Sequence, residues 1–162
     1  MTVDTQTRCC FRQATEADVP HILALIRELA DYEKLSHEVV ATAEALKRTL
    51  FGAKAYAEVV LAEVEGAVAG FCLSFHNYST FLAKPGIYIE DIFVREAYRG
   101  MGIGKQFFQE LKDIASARDC GRIEWWVLDW NKPAIGFYET MGAVAMDEWT
   151  VYRLTEEKFA AW

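Results

Sequence analysis

A chain of 162 residues, 52% apolar and 25% charged, with only 3 prolines and 10 glycines, has the make-up of one globular domain with a substantial core. That composition excludes a disordered, collagenous or low-complexity polymer. Seventeen Lys and Arg against 24 Asp and Glu leave a net charge of -7, which argues against nucleic acid as a partner and suits a small cation better than a polyanion.

Residues 1–7 are polar and expected to fray, within a single domain taken as 1–162. Cys9 to Arg12 reads as a short strand near a sheet edge. Thr15-Glu16-Ala17-Asp18 supplies an N-cap and first-turn acids for a long amphipathic helix carrying Ile22, Leu25, Ile26, Leu29 and Leu35. A second helix begins near Thr42, runs through Ala45, Leu46, Leu50 and Phe51, and stops at Gly52. Tyr56 to Ala62 and Ala67 to Phe75 read as strands joined by a turn at Glu63 to Gly66. Lys84-Pro85-Gly86 reads as punctuation before the β-prone run Ile87 to Val94, so these three strands predict a meander. A glycine-rich turn at 99–104 leads into a helix bearing Phe107, Phe108, Leu111, Ile114 and Ala115, up to Gly121. Arg122 to Leu128 is a further buried strand, and Asn131 and Pro133 open a helix carrying Ile135, Phe137 and Tyr138 before Gly142. Val144 to Met146 and Trp149 to Leu154 predict a terminal hairpin, with Thr155 starting a short helical tail.

The cysteines at 9, 10, 72 and 120 form no C-x-x-C pair, and His21, His37 and His76 show no ligand spacing, so neither disulfides nor a metal is expected. No apolar run reaches the roughly 18 to 20 residues that span a bilayer, and Asp4 stands where a leader would be basic. The expectation is a cytoplasmic protein with no membrane partner.

Glycines closely spaced between a strand and a helix expose backbone N–H groups at the positive end of the helix dipole, a means of holding phosphate, and Arg99 adds a cation. The spacing of Gly100, Gly102 and Gly104 is neither that of a nucleotide P-loop nor of a dinucleotide fold, so a tight helix entry is the alternative. Arg99-x-x-Gly102-x-Gly104 resembles the R/Q-x-x-G-x-G/A signature of the GCN5-related N-acetyltransferase (GNAT) superfamily. Tyr88 to Val94, Tyr98 to Gly104 and Trp130 to Tyr138 extend the resemblance to its diamine (spermidine/spermine) and thialysine branch. The resemblance implies an α/β fold with a mixed, mostly antiparallel twisted sheet of six to seven strands and about four helices. It also implies splayed central strands that hold acetyl-CoA, with no metal.

By residue match, the resemblance assigns cofactor contacts to Ile92, Phe93, Val94, Arg99, Gly100, Met101, Gly102, Ile103, Gly104, Lys105, Asn131 and Tyr138. It makes Tyr138 the general acid for the departing thiolate, a role that suits a phenol of ordinary pKa about 10; packing with Phe137 is the alternative. Glu90 matches the carboxylate that binds the cationic acceptor and relieves it of a proton. Strict alternation would send its neighbour Asp91 to the opposite face unless a bulge intervenes, so the two are not expected to act as a pair. Asp91, Glu28, Glu33 and Trp149 are further candidates for the substrate, Trp149 from a partner subunit of an intertwined homodimer. Helix capping for Asn131, a solvated face for Glu28 and Glu33, and core packing for Trp149 stay open, as does the role of Tyr32. Trp125 and Trp126 read as core and dimer packing.

The expected activity is transfer of acetyl to a primary amine of a small polycation by direct attack. The alternatives are another amine (an amino acid, an aminoglycoside or a protein lysine) and a non-catalytic acyl-CoA-binding regulator; Glu90 and Tyr138 favour an enzyme. Arg95 and Glu96 depart from the branch, which carries less charge before the signature, and 77–85 is a loop where acceptor choice can diverge.

Overall fold

Cys9 is the first residue that the computed structural model describes and Trp162 the last, so the expected fraying of residues 1–7 lies outside the described residues. The chain packs as two units, one ending at Trp126 and one running from Val127 to Trp162.

In the first unit, β1 (Cys9–Gln13) lies at the sheet edge, as expected. Thr15 and Asp18 close a capping box around a 3-10 turn, Glu16–Asp18, that leads into α1 (Val19–Tyr32). The Asp18 carboxylate accepts two hydrogen bonds of 2.8 Å from the Arg12 guanidinium and one of 2.7 Å from the Thr15 N–H. These donors, Arg12 foremost, hold the Asp18 carboxyl well below the usual carboxylate range. α1 ends before the expected Leu35 because the chain turns at Lys34, which takes a left-handed φ of 62°. α2 (Ala43–Phe51) starts as predicted on Thr42, whose hydroxyl accepts from the Ala45 N–H at 3.2 Å, and stops at Gly52.

The meander forms from β2 (Glu58–Val64), β3 (Ala67–Ser79) and β4 (Lys84–Val94), and α3 (Ile103–Ala117) and β5 (Ile123–Trp125) follow. The sheet order is β1-β2-β3-β4-β5, antiparallel except for the β4/β5 pair. Lys84-Pro85-Gly86 corrects the sequence expectation: these residues open β4, opposite Ser79, Tyr78 and Asn77, and the turn is 80–83. Pro85 is tolerated because β5 pairing starts only at Ile87. Gly86 suits this place because a Cβ there would force the Asn77 side chain to shift and crowd Arg122. The stretch 77–85 is therefore mostly paired hairpin, not loop.

One face of the sheet is covered by α1 and α2, whose Ile22, Leu25, Leu29 and Leu50 pack with Leu61, Phe71, Leu73 and Phe93. On the other, α3 packs Ile103, Phe107 and Leu111 with Val60, Cys72, Ile87 and Ile89. Phe71 and Phe107 are fully buried; cutting either to Ala would cost about 3–5 kcal/mol.

The second unit contains α4 (Lys132–Thr140) and a last turn, α5 (Glu156–Phe159), which starts after Thr155 as predicted. The expected hairpin of Val144 to Met146 with Trp149 to Leu154 does not form: no strand is assigned there and every residue from Val144 onward is exposed. Alternation stabilises a strand only with a ladder partner and a buried face, and this stretch has neither within its unit. Among the described residues the sheet thus has five strands, not six to seven, and Arg122 to Leu128 supplies only Ile123–Trp125.

Candidate functional site

Along β4, Ile87 and Ile89 face the α3 core, and so does Ile92, three residues on. The shift has a cause: Leu73 pairs with Asp91 while Ser74 pairs with Ile89, so Glu90 is the extra residue of a β-bulge. The expected separation of the two acids is overturned, because both now lie between α3-facing positions and turn toward the α1 side. The charges of Glu90 and of Glu33, the residue that ends α1, both act on Asp91. Burial first, then these like charges, pushes the Asp91 carboxyl up to about 6, and burial alone raises Glu33. Glu90 itself is exposed. An acid cluster of this kind is stabilised by a cation.

Glu28 is different. Its carboxylate accepts two hydrogen bonds from Arg95, at 2.8 Å from Nε and 2.7 Å from Nη2, while Arg95 Nη1 donates to the Val68 carbonyl at 2.7 Å. A bidentate pair is the strong form of a carboxylate contact, so Glu28 is committed to holding α1 against the end of β4. One helical turn later, the Tyr32 ring lies 4.9 Å from the Arg99 guanidinium carbon, and the Phe93 ring lies 5.6 Å from it. Arg99 Nε donates to the Val94 carbonyl at 3.0 Å. Two arginines four apart are thus held by Glu28 and Tyr32, also four apart. The sequence marked Arg95 as a departure but could not name its partner, since the contact spans 67 positions.

Pairing of β4 with β5 covers only Ile87 to Ile89, so the strand edge of Ile92, Phe93 and Val94 on that side has no β5 partner, while β3 pairs their other edge. An edge left open in this way is what the expected splay requires. Beyond it, Gly100 and Gly102 take left-handed φ values of 80° and 77°, which any larger residue adopts only with strain. No atom lies within 4 Å of where a Cβ at Gly100 would be. Gly102 caps α3, and the first intrahelical bond is from the Gln106 N–H to the Gly102 carbonyl at 3.1 Å. The N–H groups of Ile103, Gly104 and Lys105 precede that bond and point out of the helix end. An unpaired strand edge followed by an N–H-lined, glycine-shaped turn fits the pantetheine arm and pyrophosphate of acetyl-CoA. Met101 and Lys105 are exposed on the turn, and Ile103 is buried beneath it.

In the second unit, Asn131 is buried and caps α4, its side-chain oxygen accepting from the Ala134 N–H at 3.4 Å. Tyr138 is half-buried on α4 with its ring 5.7 Å from Phe137. Trp149 is 75% exposed and, against expectation, lies on no strand. Among the described residues no group of three or more His, Cys, Asp or Glu could hold a metal ion, and no helix is long and apolar enough to cross a membrane.

Residues 22–143 match the acetyltransferase (GNAT) family. The chain is 37% identical to an L-ornithine N5-acetyltransferase of Arabidopsis thaliana, over 93% of its own length and 86% of that relative. It is 38% identical to a thialysine N-epsilon-acetyltransferase of Bos taurus, over 91% and 92% of the two chains. An integron cassette protein from the mobile metagenome of V. cholerae shares the fold with a TM-score of 0.79 at 23% identity, over 94% of this chain and 96% of that one. The open β4 edge, the left-handed glycines and these matches agree, and the chain belongs to the acetyltransferase (GNAT) family, enzymes whose co-substrate is acetyl-CoA.

Proposed function

We propose that the protein acetylates a primary amine of a small dication or polycation, such as spermidine, spermine, another diamine, thialysine or ornithine. The observation that carries this is the bulge at Glu90, which turns Glu90 and Asp91 toward the side where Glu33 ends α1. No hydrogen bond or ion pair from the described residues neutralises these three acids. Relatives named for ornithine and for thialysine, both small cationic amines, support the same class.

When bound, acetyl-CoA supplies an acetyl thioester reactive enough for an amine to attack directly. The chain's own work is then proton handling and positioning. Asp91 and Glu33 hold the ammonium. Glu90, exposed at the cleft, takes its proton through a water so that the nitrogen lone pair is free to form the C–N bond. A backbone N–H of the Ile92 to Val94 edge is offered to the thioester oxygen. The Tyr138 hydroxyl would give a proton to sulfur as the C–S bond breaks and regain one through water from the nitrogen as the amide forms, and Asn131 would share in holding the cofactor arm. Arg99 and the N–H groups around Gly102 hold the pyrophosphate.

The two units act as one domain, since the family match runs across their boundary. The protein works in the cytoplasm as a homodimer, and a second copy covers the exposed Val144, Met146, Trp149, Val151 and Tyr152. Three variants test the assignment. Asp91→Asn should raise the amine KM about tenfold without moving the acetyl-CoA KM. Glu90→Gln should lower kcat with the acetyl-CoA KM unmoved, and Tyr138→Phe should lower kcat about hundredfold at unchanged amine KM. Losses confined to the acetyl-CoA KM would contradict these roles.

A further inference from the structure

Beyond the reach of α1 and α2, the same face of the sheet carries a row of aromatic rings from three neighbouring strands. Phe75 on β3 and Tyr88 on β4 are register partners with ring centroids 5.1 Å apart. The rings of Tyr88 and Trp126, the latter just past β5, meet edge to face with centroids 5.8 Å apart and planes at 85°. None of the three belongs to the cluster packed under α1 and α2. Trp125, by contrast, packs with Phe108 at 5.1 Å on the α3 side, so the tandem tryptophans divide between the two faces. Phe75 is 37% and Trp126 58% exposed. Core and dimer packing, the sequence expectation for Trp126, leaves this surface without an assignment.

Two carboxylates border the rings, one of them, Glu124, paired with an arginine. The charges of Glu90 and Glu124 both act on Tyr88, whose phenol burial and these carboxylates push up to about 12. Glu124 is anchored, accepting one 2.8 Å hydrogen bond from Asn77 Nδ2 and pairing with Arg122 Nε at 2.8 Å. Glu90 follows Tyr88 by two positions on the same side of β4, and a strand rises about 3.3 Å per residue. An ammonium held by the acids at the bulge therefore lies roughly 5–10 Å from the faces of the three rings, the span of two nitrogens separated by a short alkyl chain.

We infer that Phe75, Tyr88 and Trp126 form a cation-binding shelf for the distal ammonium of the acceptor, so that the enzyme prefers dications over monocations of equal length. Exposed aromatic faces attract ammonium through their quadrupoles, and the rings also cover the methylene spacer. The inference rests on the amine reading of the acid cluster. It accounts for solvent-exposed rings beside Glu90, a carboxylate that an apolar partner surface would have to desolvate.

The test compares butane-1,4-diamine with butan-1-amine as acceptors, which differ only in the distal ammonium. Trp126→Ala should lower the diamine-to-monoamine ratio of kcat/KM about tenfold, Trp126→Phe should restore most of it, and Phe75→Leu, which keeps apolar volume, should lower it severalfold. An unchanged ratio in folded Trp126→Ala and Phe75→Leu would overturn the shelf while leaving the amine reading intact. No turnover of either amine by the wild-type enzyme would overturn both.

Discussion

Replacing Asp91 by Asn removes a charge that the fold makes costly while keeping the shape of the side chain. The carboxyl stands at about 6 in the folded chain against an ordinary 3.8, because it is largely buried and faces Glu90 and Glu33. A raised folded value means that the native state holds the proton more tightly than the unfolded chain, so the contribution of this group to stability is greatest below pH 3.8 and is lost as pH rises through about 6. At 1.36 kcal/mol per pH unit, the ionised group costs about 3 kcal/mol by pH 8. Asp91→Asn should therefore stabilise the protein by up to about 3 kcal/mol at pH 8, equivalent to roughly 5–10 °C in Tm, and by almost nothing at pH 4. Urea unfolding at the two pH values reads this difference. The same charge serves binding, since a cation next to Asp91 lowers its pKa again. Amine binding should release protons near pH 6 and far fewer at pH 8, which calorimetry in buffers of different ionisation enthalpy detects. An Asn variant no more stable at pH 8 than at pH 4, relative to wild type, would refute the argument.

Asp18→Asn breaks a pair in which the carboxylate is buried and the Arg12 side chain partly exposed, and its depressed carboxyl gives stability that is present above the ordinary 3.8 and lost as pH falls. Since Arg12 keeps Glu63 as a partner, the expected loss is about 1–2 kcal/mol at pH 7, shrinking below pH 4, by chemical denaturation. Gly102→Ala places a side chain at a φ of 77°, costing about 1–2 kcal/mol; the acetyl-CoA KM should rise about tenfold with the amine KM little changed. Arg95→Met and Glu28→Gln, taken singly and together, should show a coupling of about 1–3 kcal/mol in a double-mutant cycle of stability, given their bidentate contact.

Local signals in the chain were sufficient for the elements that local chemistry decides. Thr42 and Asn131 cap their helices, Gly52 ends one, and the periodicity of Phe107, Leu111 and Ala115 sets the buried face of α3. The signature turn was equally legible, because left-handed glycines at a helix entry leave a mark in composition. What the sequence did not disclose depends on pairing between distant strands. The bulge that puts Glu90 and Asp91 on one face arises from the β3/β4 register, and alternation alone predicts the opposite. Lys84-Pro85-Gly86 carries turn residues but joins a strand because the hairpin continues to Ser79. The β-prone residues from Val144 to Leu154 find no ladder in their unit, which propensity cannot foresee. The pairing of Glu28 with Arg95 gives that acid a structural partner through a contact invisible to spacing.

The central claim is acetyl transfer to a small polycationic amine. Its most direct test follows release of free CoA thiol from acetyl-CoA with spermidine, spermine, putrescine, thialysine, ornithine, lysine and a histone-tail peptide as acceptors. The account predicts amine-dependent release with the highest kcat/KM on a small dication or polycation. Binding of acetyl-CoA without release on any of these amines, or a clear preference for the peptide, would contradict it.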